Sequence, residues 1–437
     1  MTETNPECIQ SEPTQGPKRY LNREIGRAGD GASGTTLVIL GGVHGNERAG
    51  LIAGQRVLDA LVDRNGNMNG QLVVLAGNLA ALNHEDPHTR YVKFDLNRLC
   101  KRKHFDEPAS TSVEHEQMFG LFGALEDILA TSTASGQQMI VLDLHTTSAP
   151  SRPVVAFEDS LQARVHAMRM PCPKYLGIEE EANGLVIDAV TNRLGCISYL
   201  VEGGQHEDPK SVDVHEAAIW IALDTAGIVP LSEHPGDPLG FMRSMSLDRG
   251  HVVYDVRYRY PIKNEDYTTC DGIETGTEVF PSKSVLAIEN GKEIHTPIHG
   301  RVFLPNMQTH KRINDDGFFI VRRVSTGWVN LSARLRRQSW VHWLIGMMPG
   351  VYPHEDSKFL VDANLACVMR RQVFHLFGYR LLRHDGRESG HGLHRVLDGT
   401  KAFFKAFFRG PIRGENGKGP DEHDHRFWIV QRRRLDR

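Results

Sequence analysis

The chain has 437 residues, 40% hydrophobic and 24% charged, which are ordinary globular values and exclude bulk disorder and collagen-like repetition. Its 51 Lys and Arg against 54 Asp and Glu leave a net charge of −3, so no global basic field invites nucleic acid. The 6 cysteines lie far apart without a CxxC pair, and no apolar run approaches the roughly 20 residues that span a bilayer. Together these predict reduced thiols in a cytoplasmic protein.

Residues 1–30 open with the polar, acidic, Pro-containing stretch MTETNPECIQSEPTQGPK, expected to be a disordered leader. From 31 to 238, short β-branched runs alternate with helix-like stretches, the pattern of βαβ units around a mostly parallel sheet. Thr36–Leu40, Gln71–Leu75, Met139–Leu142 and Ile197–Val201 are each too short for a free-standing helix and apolar on both faces, as buried parallel strands are. Arg48–Val62 and Val113–Leu129 carry apolar residues at helical spacing. From 239 to 330 the strand-like runs Val252–Tyr260, Ile298–Pro305 and Gly317–Val321 are separated by Gly and Pro, which predicts a small β-rich domain. Residues 331–437 hold 20 Lys and Arg against 11 Asp and Glu and form a basic C-terminal extension. Within it, Trp340, Trp343, Met347 and Met348 are expected to make a small hydrophobic cluster. In 400–409, Lys401, Lys405 and Arg409 form a basic stripe beside four phenylalanines; packing of those rings onto the protein is favoured over docking to a membrane or a protein partner. His423 and His425 read as tail residues rather than ligands.

The chemistry gathers behind three of the strands. Thr36–Leu40 is followed by Gly41-Gly42-Val43-His44-Gly45-Asn46-Glu47, Met139–Leu142 by Asp143-Leu144-His145-Thr146-Thr147, and Ile197–Val201 by Glu202-Gly203-Gly204. Open α/β sheets build their sites at such C-terminal strand ends. His44 and Glu47, three apart, can point the same way from one turn. With His145 they offer two imidazoles and a carboxylate, the donor set of a catalytic zinc with one position left to water. Asp143 could orient His145 only if one strand runs through both, because only then do residues i and i+2 share a face. Glu202 is the candidate general base and acid for attack on a carbonyl beside that metal. Each signal alone is weak: HxxE is frequent by chance, and Gly41-Gly42 lacks the Gly-Lys-Ser/Thr of a phosphate loop. A fourth segment, Arg90–Arg98, adds two arginines and Asn97. Guanidinium forks grip carboxylates, and an arginine near a metal can stabilise an oxyanion; surface salt bridging is the ordinary alternative.

In this order, GGVHGNE, GNLAALN…RYVKFDLNR, DLHTT and VEGG resemble the succinylglutamate desuccinylase/aspartoacylase family, zinc hydrolases related to the M14 carboxypeptidases. The resemblance covers about residues 36–205 and extends loosely to about 330. It implies a zinc-carboxypeptidase-like α/β/α domain followed by a β-domain that narrows the mouth of the site. It places one Zn2+ on His44, Glu47 and His145, and catalysis on Glu202 and on a polarising Arg90. Substrate contacts would fall to Asn97, Arg98 and a further arginine, Arg193. Members often read Glu-Val-Gly after the catalytic glutamate, where this chain has Glu202-Gly203-Gly204. They also often complete the pocket with a tyrosine, for which Tyr254, Tyr258, Tyr260 and Tyr267 are the candidates. The expected activity is zinc-dependent hydrolysis of the amide bond of a small N-acyl amino acid, with a homo-oligomer left open. The alternatives are an M14-type metallocarboxypeptidase and a catalytically inactive zinc-binding scaffold acting through the C-terminal region.

Overall fold

All four β-branched runs become neighbouring strands in the middle of one sheet. The computed structural model describes residues 3–4, 9–10, 19–31, 33–62, 68–106, 112–134, 136–246, 252–348, 350–353, 358–362, 370–382 and 427–432. Segment 400–409, His423 and His425 lie outside the described residues. Contact density divides the chain into two units, 1–158 with 163–323, and 159–162 with 324–437.

The first unit is built on a 12-stranded sheet. Its strands are β1 (Glu24–Ala28), β2 (Thr35–Gly41), β3 (Gly70–Ala76), β4 (Gln138–Thr147), β5 (Val154–Phe157), β6 (Lys174–Leu176), β7 (Ile197–Gln205) and β8 (Val253–Pro261). Beyond these lie β9 (Thr268–Thr269), β10 (Glu278–Val279), β11 (Val285–Glu289), β12 (Lys292–His295), β13 (Gly300–Phe303) and β14 (Asp316–Val324). The order in the large sheet is Glu3–Thr4, β1, β3, β2, β4, β7, β5, β6, β8, β14, β13, β10; β9, β11 and β12 form a separate three-stranded sheet. The centre is parallel, β3 with β2, β2 with β4 and β4 with β7. The β1, β13 and β10 margins are antiparallel. Thus Glu24–Ala28, inside the stretch expected to be a leader, pairs with β3. The strands of 253–324 both prolong the large sheet and build the small one.

Two helical layers sandwich the parallel strands. The main helices are α1 (Ala49–Val62), α2 (Leu96–Leu99), α3 (Val113–Ala134) and α4 (Lys210–Thr225). On one face, Met118, Leu121, Phe122 and Leu125 of α3 pack with Val38, Leu40, Val73, Leu75 and Val141 of the strands. On the other face α1 lies so close that a Cβ on Gly54 would stand 2.7 Å from Val74, and α4 packs beside α1. Val73 and Val74 therefore serve opposite layers, as the two-residue period of a strand requires. Both faces being covered explains why these strands read as continuous apolar runs. Among the described residues no helix is long and apolar enough to cross a membrane, and Cys100, Cys172 and Cys270 are free thiols.

In the second unit, Val351–Pro353, Lys358–Asp362, Phe427–Arg432 and Tyr379–Leu382 form a four-stranded antiparallel sheet. Its core gathers Val341, Ile345, Val351, Phe359, Val361, Phe374, Phe377 and Tyr379. The expected Trp/Met cluster is corrected here. Along Trp340–Gly346 the buried side chains are Val341 and Ile345, four apart on one helical face, and Met348 packs against them. Trp340, Trp343 and Met347 lie on the outward arc and are exposed.

Candidate active site

His44 and Glu47 sit in the turn between β2 and α1. Gly42 adopts φ +65°, and a Cβ there would crowd Leu51 and Leu82, so glycine lets the chain leave the strand tightly. Glu47 N–H donates to the His44 carbonyl at 3.1 Å, and Gly45 N–H donates to the Arg90 carbonyl at 2.9 Å, which ties this turn to the Arg90 segment. His145 lies within β4, and Glu202 within β7. The sequence suggested strands ending before both residues. Instead β4 and β7 run on in parallel register, with Glu202 directly opposite His145, and the irregularity comes only after Glu202. Pairing with the neighbouring backbone keeps these polar stretches extended.

One ligating atom from each of His44, Glu47 and His145 falls within 4.8 Å of the others, and all three residues are at most 3% exposed. His44 Nδ1 is 2.8 Å from Glu47 Oε1, and His145 Nδ1 is 2.9 Å from Glu47 Oε2. The far nitrogens face outer carboxylates: His44 Nε2 lies 3.0 Å from Asp95 Oδ1, and His145 Nε2 lies 2.9 Å from Asp143 Oδ2. Carboxylates behind ligating imidazoles fix their tautomer and orientation. Because β4 passes through both residues, Asp143 and His145 share a face, which meets the condition set for Asp143 above. Asp95 caps α2, its Oδ1 accepting from Asn97 N–H at 2.8 Å. Two imidazoles and one carboxylate, converging and already oriented, fit a divalent metal such as zinc.

The surrounding charges are consistent with that assembly. Burial raises the Glu47 carboxyl, but the His44 and His145 charges and hydrogen bonds outweigh it and hold the group well below the usual carboxylate range. Arg90 donates from Nη1 to Glu47 Oε1 at 2.9 Å and from Nη2 to Asp95 Oδ2 at 3.3 Å. Glu202 differs: its Oε2 is buried without a hydrogen-bond partner. Burial first, then Glu47 and Asp143, push it up to about 8 against the opposing pull of His145 and Arg90. A carboxyl so placed is suited to accept and release a proton.

A cavity of about 100 Å3 opens over these groups. Asn97 and Arg98 line it, as do Leu304, Pro305, Asn306, Asp315 and Asp316 from the β13–β14 hairpin. The mouth is therefore shaped by a segment more than 150 residues beyond the metal group. Leu304 and Asn314 bracket that loop with φ +49° and +74°, conformations that L side chains seldom adopt. Asn97 Oδ1 accepts from Val186 N–H at 2.7 Å. Arg98 donates to the Asp316 carboxylate rather than projecting free into the cavity.

Arg193 does not reach the cavity. It pairs with Glu126 at 3.1 Å near the surface and stacks over Phe105, because its turn, Val190–Leu194, faces α3. None of the four candidate tyrosines lines the cavity either. Tyr254 stacks on Tyr175, Tyr258 packs by Phe318, Tyr260 donates to Glu289 at 2.6 Å, and Tyr267 donates to the Gly317 carbonyl at 3.1 Å. Glu114 carries weight that its helical position did not reveal. From the first turn of α3 it accepts from Val92, Lys93 and Phe94 N–H at 2.7, 3.0 and 3.2 Å, pinning the segment that delivers Arg90 and Asp95. Gly203 answers the Glu-Gly-Gly departure: a Cβ there would stand 2.4 Å from His215 Nε2, so the α4 histidine fills the room a valine would need.

Residues 33–179 match the sequence profile described as the Succinylglutamate desuccinylase/Aspartoacylase catalytic domain. This part of the chain is similar to that family's catalytic domain. Among curated proteins it is similar to the "Succinylglutamate desuccinylase" of Shewanella sp. (strain W3-18-1), 25% identical over 279 residues, covering 60% of this chain and 75% of that protein. The same identity and coverage hold for the "Succinylglutamate desuccinylase" of Shewanella baltica (strain OS185). The fold is shared with the crystal structure of succinylglutamate desuccinylase from Vibrio cholerae, with TM-score 0.52 and 16% identity, covering 74% of this chain and 91% of that one. The mostly parallel central sheet with small antiparallel additions is thus shared with that structure.

Proposed function

We propose that this chain is a zinc-dependent deacylase that hydrolyses the amide bond of a small N-acyl amino acid. The observation that carries the reading is the pairing of Glu202 with His145 across β4 and β7, which sets an unpartnered, proton-accepting carboxyl beside the His44–Glu47–His145 group. A divalent ion held by those three residues supplies a Lewis acid and lowers the pKa of a water. Glu202 Oε2 takes the proton of the attacking water as the C–O bond forms and then delivers it to the leaving nitrogen, after which the C–N bond breaks. Arg90, fixed by Glu47 and Asp95, presents its guanidinium to the oxygen on which negative charge develops. Asp95 and Asp143 hold the imidazoles.

Metal content by mass spectrometry, together with release of free amine from a panel of N-acyl amino acids, tests this. About one zinc per chain with chelator-sensitive release is the expected result. Zinc with cleavage of C-terminal residues from peptides would move the chain to the metallocarboxypeptidases. Failure to retain zinc after reconstitution, or no release from any compound, overturns the proposal.

A further inference from the structure

The helix Trp340–Gly346 has apolar residues on two opposite sides, and only one of them is covered. Val341 and Ile345 face the core of the second unit, where Met348 packs against them. The other side carries Trp340, Trp343, Leu344 and Met347, spaced i, i+3, i+4 and i+7, so the four line up as one stripe. Their exposures are 48, 66, 37 and 60%. Leu331, on the preceding helix Thr326–Arg336, is exposed as well. A helix that is apolar on opposite sides is ordinarily buried on both. Single apolar side chains are common on protein surfaces, but a contiguous stripe with two indoles marks a face that binds something.

Charge indicates what that is. From Val324 to His354 the chain holds Arg334, Arg336 and Arg337 and no Asp or Glu. Arg336 turns inward and donates to Asp159 Oδ2 at 2.6 Å. Arg334 and Arg337 are exposed, and among the described residues neither meets a carboxylate. Residues 331–437 as a whole hold 20 Lys and Arg against 11 Asp and Glu. The occupant must therefore be anionic at its surface and apolar just beneath. An anionic lipid surface has that order, with phosphates outside and hydrocarbon below. Indole rings settle at that boundary, and arginines beside them pair with the phosphates. An acidic protein would need a recess shaped to rings as prominent as Trp343, whereas fluid lipid needs none.

We infer that the second unit docks onto an anionic lipid surface through Trp340, Trp343, Leu344 and Met347, with Arg334 and Arg337 at the level of the headgroups. The contact is peripheral: a short helix lies in the interface and spans nothing. It is independent of the deacylase reading and stands or falls without it.

The test uses the full chain with vesicles of phosphatidylcholine, alone or mixed with about one-third phosphatidylglycerol. Co-sedimentation is expected to show binding at least about tenfold tighter to the anionic vesicles at low salt, weakening as salt is added. Lipids brominated on their acyl chains should quench part of the tryptophan fluorescence of the bound protein. Trp340→Ser combined with Trp343→Ser is expected to weaken binding at least about tenfold and to remove that quenching. Its circular dichroism spectrum should match wild type, because both rings lie outside the core. Arg334→Gln combined with Arg337→Gln should lower affinity for the anionic vesicles about tenfold and leave binding to pure phosphatidylcholine as it was, a split that a folding defect would not produce. No binding to either vesicle overturns the inference. So does binding that survives in the tryptophan variant, which would place the contact elsewhere, segment 400–409 included. A dimer that dissociates in the tryptophan variant, seen by sedimentation equilibrium without any vesicle binding, overturns it in favour of a second copy as the occupant. Should the tryptophan variant not fold, the arginine variant decides: undiminished binding to anionic vesicles overturns the inference.

Discussion

At the scale of single residues the site contrasts a fully partnered carboxylate with one that leaves an oxygen unpartnered. Glu47 is buried, doubly approached by imidazoles and touched by Arg90, whereas Glu202 is buried with one oxygen unpartnered. Glu202→Gln preserves shape but removes the proton acceptor, so zinc content should stay near one per chain while turnover falls at least about 100-fold. Turnover near the wild-type rate would remove Glu202 from the chemistry. Asp143→Asn and Asp95→Asn leave the ligands in place but weaken their orientation. Zinc affinity measured by competition with a chelator is expected to drop about 10- to 100-fold in each. Much of this constellation is legible in the chain itself, because His44, Glu47, His145 and Glu202 follow apolar runs and sit at fixed places in short motifs. Asp316 is not legible. Its partners, Arg98 and Arg259, lie 218 and 57 residues away in sequence, and only the β13–β14 hairpin brings them together. Arg193 shows the opposite failure, a suitable residue type near the right place that the local turn directs outward onto Glu126 and Phe105.

At the scale of elements, composition identifies the buried strands well and their ends poorly. Hydrophobic runs mark where a strand is covered on both faces, but β4 and β7 extend past those runs through Asp143–Thr147 and Glu202–Gln205, held by each other's backbone. That pairing is a tertiary fact with no local signature. The same limit explains Trp340 and Trp343. Their bulk suggested a core, yet the helix period gives the inward face to Val341 and Ile345. Where β7 meets α4, packing is tight enough to predict a genetic interaction. Gly203→Val drives a side chain into His215, and chemical denaturation is expected to show a loss of about 1–3 kcal/mol. Adding His215→Ala should recover part of that loss, and strictly additive losses would show that the two positions do not compete for space.

At the scale of the whole molecule, buried ionisable groups such as His166, on the helix Leu161–Arg169, make stability respond to solution conditions. His166 is 6% exposed and stacked on Tyr199; burial lowers it from 6.5 to about 4. It is neutral in the folded chain and charges more readily when unfolded, so the folded state is unaffected above about pH 6.5. It loses ground as pH falls from there toward 4, by up to about 3 kcal/mol. Replacing His166 with Gln should flatten that part of the stability–pH curve, measured by denaturant titration at several pH values; an unchanged slope would show that the ring is not a source of acid sensitivity. Zinc should act in the opposite sense, raising Tm in proportion to the logarithm of its free concentration above Kd, an increase that a chelator reverses.

His44 and Glu47 are separated from His145 by about a hundred residues, and the three converge only once β2 and β4 lie side by side. Small zinc modules are unfolded without their ion, whereas this scaffold packs a hydrophobic core on both faces of its sheet, so chelator-treated protein is expected to keep its circular dichroism spectrum. A metal taken up by this group would then enter a site that the closed sheet has already assembled.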